Sequence, residues 1–240
     1  MRRRYFYYNI RMTAFSLFCF TSFILLGFWQ LDREKQKLVL IADRDAKKAG
    51  SVVEIGDLET NVVAEDSLPV KMSGTYLENF TLLLDNIVLN GQVGFEVVQL
   101  FRDKSDNHVM VNRGFVPMGR TREDPVNIPT VGLDHLEVLG RIYLPESTPI
   151  VLSSEKVDID SFPAIVQRAD AEILSNRLGK KIYPHIIRLN EGQQGALPRY
   201  WPDTVMPPEK HRGYAIQWFM MALAIVIAWL FLSFPIKEER

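Results

Sequence analysis

Cysteine is almost missing from this 240-residue chain, and Cys19 is the only one. An intramolecular disulfide is therefore impossible, and a metal site built from several thiolates is excluded. Excess charge of one sign is missing too: 28 Lys and Arg stand against 29 Asp and Glu. With no basic stripe beyond the arginines of the N-terminus, nucleic acid is not an expected partner, and long-range capture of anionic substrates is not expected either. The catalytic signatures with firm spacing are absent: no Gly-x-Ser-x-Gly elbow, no His-Glu-x-x-His, no phosphate loop ending in Gly-Lys-Ser or Gly-Lys-Thr, no Cys-x-x-Cys. Acidic residues are many but show no acid/base spacing, so solvated surface is their expected place. An enzyme is not the expectation. No repeat of fixed period and no low-complexity tract occurs.

What the chain does have is two long apolar runs, residues 12–31 and 214–234, without an ionised side chain in either. About 20 residues at roughly 1.5 Å rise cover the ~30 Å hydrocarbon core of a bilayer, so each run is long enough to cross it. The expected organisation is a basic cytoplasmic N-terminus over 1–11, a transmembrane helix over 12–31, an outer-facing periplasmic α+β domain over 32–213, a second transmembrane helix over 214–234, and a cytoplasmic tail over 235–240. Orientation rests on Arg2, Arg3, Arg4 and Arg11 before the first run, because positive charge is retained in the cytoplasm. A cleaved signal peptide is the weaker reading, since no small-x-small site follows the run. Without a long Arg- and Ser-rich leader, a bacterial inner membrane is expected rather than a mitochondrial one. Membrane lipid is thus the first expected partner.

From Asp32 to Gly50 the chain keeps helical spacing, with Leu31, Leu38, Ile41, Ala42, Ala46 and Ala49 near one stripe, which predicts a helical stalk. After Gly50 the pattern turns to short β-branched and aromatic runs at 70–76, 80–89, 94–103, 108–118, 136–144 and 184–189. They predict a mainly antiparallel sheet with mostly local pairing. Asn90-Gly91 and the polar loop 103–107 suit hairpin turns. In the strand after that loop, Arg113 shares a face with Val109, Val111 and Phe115, so one face must take an arginine among apolar neighbours. One helix is predicted at 170–178, with Asp170 as N-cap, Ile173, Leu174 and Leu178 on a face, and Gly179 as its stop. Four prolines in 193–209 make that stretch an extended lead into the second run.

Two antiparallel spans would bring the end of the first, with Trp29, Gln30 and Arg33, to the same membrane surface as the start of the second. There His211, Tyr214, Ala215 and Trp218 share a helical face. An aromatic belt with snorkelling cations accounts for much of this grouping. The sharper reading is a cofactor groove, with neutral imidazole on iron, aromatic rings against a macrocycle, and Arg33 or Arg212 on propionates. His108, His135 and His185 are expected at surfaces or strand edges.

Four segments in order resemble the Surfeit-locus family of cytochrome c oxidase assembly proteins: residues 26–37 around Gly27-Phe28-Trp29-Gln30, Leu84-Asp85-Asn86 with Gly91 and Gly94-Phe95, residues 111–117 around Asn112-Arg113-Gly114, and residues 211–219 from His211 to Phe219. The resemblance implies a membrane-bound factor that helps place haem a in the largest oxidase subunit, with the haem a synthesis enzymes as further partners. It puts a haem ligand at His211, the metal-binding residue, with Trp29, Gln30 and Arg33 at the family's other positions, and the shared helical face adds Tyr214 and Trp218 as cofactor-binding candidates. A haem-free scaffold for an assembly intermediate, or a membrane-tethered envelope enzyme, are the alternatives. Phe115 stands where a tryptophan is usual in the family, and Ile87 where an arginine often follows Asp-Asn.

Overall fold

The computed structural model describes residues 9–57, 64–122, 124–132, 134–145, 161–204 and 206–234. Arg2, Arg3, Arg4 and the tail 235–240 lie outside the described residues. The chain divides into two compact units, one from Met1–Asp43 with Pro202–Arg240 and one over Arg44–Trp201.

In the first unit are most of helix α1 (Ile10–Lys48) and all of helix α3 (Pro208–Ser233), each long and apolar enough to cross a membrane. Helix α1 runs past the apolar stretch into the predicted stalk without a break. Pro208 opens α3 at a position where its missing N–H costs nothing and its fixed φ is helical.

Among the described residues, seven strands build the second unit: β1 (Val53–Glu54), β2 (Pro69–Leu89), β3 (Gln92–Asp103), β4 (His108–Pro117), β5 (Leu136–Tyr143), β6 (Ala164–Val166) and β7 (Ile182–Leu189). The sheet is mainly antiparallel, as the runs predict. Two predicted strands, 70–76 and 80–89, are instead the single strand β2, carried through irregularities at Leu77/Thr81 and Leu84/Ile87. Asn90 and Gly91, both at positive φ, close the β2–β3 hairpin as the dipeptide suggests.

Pairing is less local than expected. Beyond the β2–β3 and β3–β4 hairpins, β7 runs parallel to β4 and antiparallel to β5, while β5 pairs with the first half of β2. The pairings β2-β3-β4-β7-β5-β2 thus close on themselves, which removes the main sheet edges. Gly74 is where β2 passes from partner β5 to partner β3, and it is paired with both Leu136 and Asp103.

Inside the ring lie Val70, Met72, Tyr76, Phe101, Val109, Val111, Val138, Ile142, Ile187 and Leu189. Outside it, Leu82, Val98, Leu100 and Met110 are covered by β6 and by helix α2 (Ala171–Leu178). Both faces of the central strands are therefore dry, and every residue of β4 before Pro117 is buried. Helix α2 matches its signals, with Asp170 accepting from the N–H groups of Glu172 and Ile173 and Gly179 left-handed at its end. Of its predicted apolar face only Leu174 is fully buried, and Ile173 points outward.

Arg113 is the buried arginine the strand pattern required, 1% exposed. Its Nε donates to Gly195 O at 2.7 Å, one terminal nitrogen to Gln99 Oε1 at 2.7 Å and the other to Pro129 O at 2.8 Å. Gln99 in turn donates to Thr81 Oγ1 at 2.9 Å. One cation thereby ties β2, β3 and β4 to the loops at Pro129 and Gly195 through oxygen dipoles instead of a carboxylate.

His108 was expected at the surface and is buried, because β7 covers β4 from its first residue. Burial holds its imidazole below the ordinary histidine pKa, with Lys180 pushing the same way. The folded state therefore resists a proton that the unfolded chain accepts. Stability is full above pH ~6.5 and falls as the pH drops toward the depressed value. Denaturant unfolding of the 44–201 unit in the intact chain, compared at pH 7.5 and 5.5, is expected to show the loss, and His108→Gln is expected to lessen it. His185, half-buried and also shifted down by burial, contributes in the same direction, and His135 is exposed as expected.

Candidate functional site

Helices α1 and α3 meet along a narrow stripe. On α1, Gly27 and Glu34 are its buried residues, and Gln30 lies between them at spacings of three and four, which places all three on one side of a helix. On α3 the buried positions His211, Ala215 and Ala222 follow the same period. The lack of a Cβ at Gly27 matters: one there would stand 2.4 Å from a ring carbon of Phe219, so the ring packs directly on the α1 backbone.

The contacts run antiparallel. Thr13 Oγ1 accepts from Trp229 Nε1 at 3.1 Å, Phe23 packs on Trp218 with ring centroids 5.7 Å apart, and Phe28 meets Phe219 edge-on at 5.5 Å. Further along, Gln30 Oε1 lies 2.8 Å from His211 Nδ1, and Glu34 Oε1 accepts from Arg212 Nε at 2.7 Å and its terminal nitrogen at 2.5 Å. Apolar rings thus occupy the middle of the pair and polar groups one end.

His211 is the ligand candidate read from the sequence. An amide oxygen only accepts, so with Gln30 in this orientation Nδ1 is the donating nitrogen of the contact, and Nε2 is the nitrogen left for another partner. A ring held through one nitrogen in this way has the orientation that metal-binding imidazoles generally have. No hydrogen bond engages Nε2 among the described residues.

Of the six residues read from the sequence, the structure brings Gln30, His211 and Trp218 into the helix pair. Trp29 is half-exposed and stacks with Arg33, whose guanidinium carbon is 5.5 Å from the indole centre. Arg33 also donates to Gln36 at 2.9 Å, and Gln36 to Asp32 at 2.6 Å, so these groups form their own chain on α1. Tyr214 is exposed, one position around the helix from the stripe. Arg212, a candidate for propionates, spends its guanidinium on Glu34. Glu34 itself departs from the reading of acidic residues as solvated surface, being 6% exposed. The signal was its place one turn beyond Gln30.

In the 44–201 unit the polar groups bind one another. Glu96 accepts from Trp201 Nε1 at 2.7 Å and from Asn112 at 2.6 Å, and Arg188 is stacked between Tyr143 and Trp201. No group of three His, Cys, Asp or Glu side chains converges among the described residues.

A sequence model of the SURF1 family matches residues 17–223 of the chain. Curated relatives are similarly placed along its length. A SURF1-like protein of Rickettsia felis is 24% identical over 224 residues, covering 89% of this chain and 93% of its own. One of Rickettsia conorii is 23% identical, with 88% and 86% covered, and one of Monosiga brevicollis is 23% identical, with 86% and 82% covered.

Proposed function

The chain belongs to the SURF1 family, known broadly as oxidase assembly factors rather than enzymes, and from that premise we propose that it helps place haem a in the largest subunit of cytochrome c oxidase. The observation that carries this reading is the 2.8 Å contact between Gln30 and His211. It supports an imidazole fixed in direction at the polar end of an otherwise aromatic helix pair. When bound, haem a supplies an iron that takes such a nitrogen and an apolar macrocycle that gains from leaving water. His211 would hold the iron, and Gln30 would hold the ring of His211. Trp218, already against Phe23, would present an aromatic surface. Trp29, Tyr214 and Arg33 are exposed side chains within the same two helices, and Arg33 would have to leave Gln36 and Trp29 to reach a propionate. Nothing in these roles requires bond-making by the protein; binding and release suffice.

Both helices are proposed to cross a bacterial inner membrane, with the termini in the cytoplasm and residues 32–213 in the periplasm, where that domain would dock on the oxidase subunit. The arginines of the N-terminus support that orientation. Reporter fusions at the two ends and within 32–213 test it, and a cytoplasmic signal from the domain would reverse it.

The direct test is co-expression with the haem a synthesis enzymes and purification of the intact protein. Wild type is expected to carry haem a with an imidazole-ligated spectrum, and His211→Ala to lose at least tenfold in bound pigment. An unchanged spectrum in the variant would remove His211 as ligand. A pigment-free wild type, alongside a deletion strain whose oxidase still lacks haem a, would favour the scaffold alternative instead.

A further inference from the structure

We propose that Glu34 and Arg212 are positioning residues: their ion pair fixes the rotation and register of α3 against α1, and so holds Gln30 on the imidazole of His211. The inference rests on the reading of His211 as the haem ligand. Gln30 and Glu34 stand one turn apart on the same side of α1, while His211 and Arg212 are neighbours in α3. Two bonds therefore join the helices side by side, Gln30 to His211 and Glu34 to Arg212. A slip of α3 by one residue, or a turn of about 100° around its axis, cannot satisfy both.

The division of labour follows from bond strength. A single neutral hydrogen bond is too weak, net of the water it replaces, to hold a helix in one rotation. Here the guanidinium reaches Glu34 Oε1 with two of its nitrogens, a charge-assisted contact that is shorter and more directional. Burying the Glu34 carboxylate, 6% exposed, is costly, and an apolar side chain would pack there at less expense. Only the carboxylate side of the pair is buried, Arg212 being 62% exposed at its side chain, so the pair contributes little to stability; what it selects is the rotation and register of α3 that leaves the Glu34 carboxylate partnered. The neighbouring charges have other partners or face away: Arg33 is engaged by Gln36 and Trp29, and Lys210 and Glu209 are exposed on the first turn of α3.

The test uses the full chain in detergent, with two readouts. In the first, haem a is titrated into wild type, Glu34→Ala, Arg212→Ala and the exchanged double variant Glu34→Arg with Arg212→Glu. Each single variant is expected to lose about tenfold or more in affinity, the usual effect of removing a group that orients a metal ligand. At saturation it is also expected to lose the imidazole-ligated bands. The exchanged pair is expected to recover most of both. Single variants with wild-type spectra, or an exchanged pair no better than either single, would overturn the proposal.

The second readout needs no haem. Nitrogen NMR of imidazole-labelled histidine, with His211 assigned by loss of its signal in His211→Asn, reports which ring nitrogen carries the proton. Wild type is expected to show Nδ1–H at His211, and Glu34→Ala or Glu34→Gln to show a mixture of tautomers. An unchanged tautomer in both variants refutes the positioning role. Should wild type bind no haem a, the ligand reading fails while this measurement still decides the ion pair.

Discussion

Arg113→Leu is expected to destabilise the 44–201 unit by about 2–4 kcal/mol, a large share of the marginal stability of an ordinary domain. The substitution breaks no ion pair, because all three hydrogen bonds of Arg113 run to neutral oxygens. It leaves the buried Gln99 Oε1 without its donor, at about 1–3 kcal/mol when nothing replaces it, and it cuts the strands loose from Gly195 O and Pro129 O on the partly exposed loops. Gln99 could turn its amide toward the gap, but it would then give up Thr81. Lysine in place of arginine is expected to recover little, since one ammonium cannot reach three oxygens lying in a fork. Urea unfolding followed by tryptophan fluorescence, with Trp201 beside the network's strands, measures the difference. A loss under 1 kcal/mol would mean that water enters and satisfies the three oxygens, and that the guanidinium is dispensable.

The other large effect is at Gly74. A Cβ there would lie 1.9 Å from the carbonyl oxygen of Arg102, with no side chain able to move out of the way. Gly74→Val must therefore part β2 from β3 at the residue where β2 is also bound to β5. We expect a cost of about 3 kcal/mol or more, at the upper end for an overpacked site. Soluble yield and hydrogen exchange of β5 amides check it. Wild-type protection at Leu136 to Gly140 in the variant would show that closure at Gly74 is not needed.

Local features of the fold were legible because they are written in adjacent residues. Asn90-Gly91 gave a turn, Asp170 and Gly179 bracketed α2, and the alternation of β4 demanded an inward arginine. The ring closure was not legible. Nothing in 136–144 or 184–189 says that one strand will return to the start of β2 and the other will lie parallel to β4, since both are short apolar runs whose partners depend on the whole chain. His108 was misjudged for the same reason: beside a polar loop it looks solvated, and only β7 buries it.

At the helix pair, the sequence pointed to Gln30, His211 and Trp218 because antiparallel spans bring chain-distant ends together. It did not separate residues on the contact stripe from those one step around the helix, such as Trp29 and Tyr214. Both kinds are aromatic or polar at an interface, and only the crossing angle decides between them. Glu34 hid within the charged run 32–37, where a buried acid and its solvated neighbours look alike.

The parallel pairing of β4 with β7 sets an order of events during synthesis. When the ribosome has finished β5, strand β4 still has one bare edge, and its partner has yet to be made. The domain cannot complete itself until β7 emerges, shortly before α3, so its folding and the arrival of the last helix are neighbours in time. A nascent chain stopped before Ile182 would expose the apolar flank of Val109 and Val111 to other chains, and prematurely terminated products of this protein are expected to aggregate or be degraded instead of persisting as partly working domains.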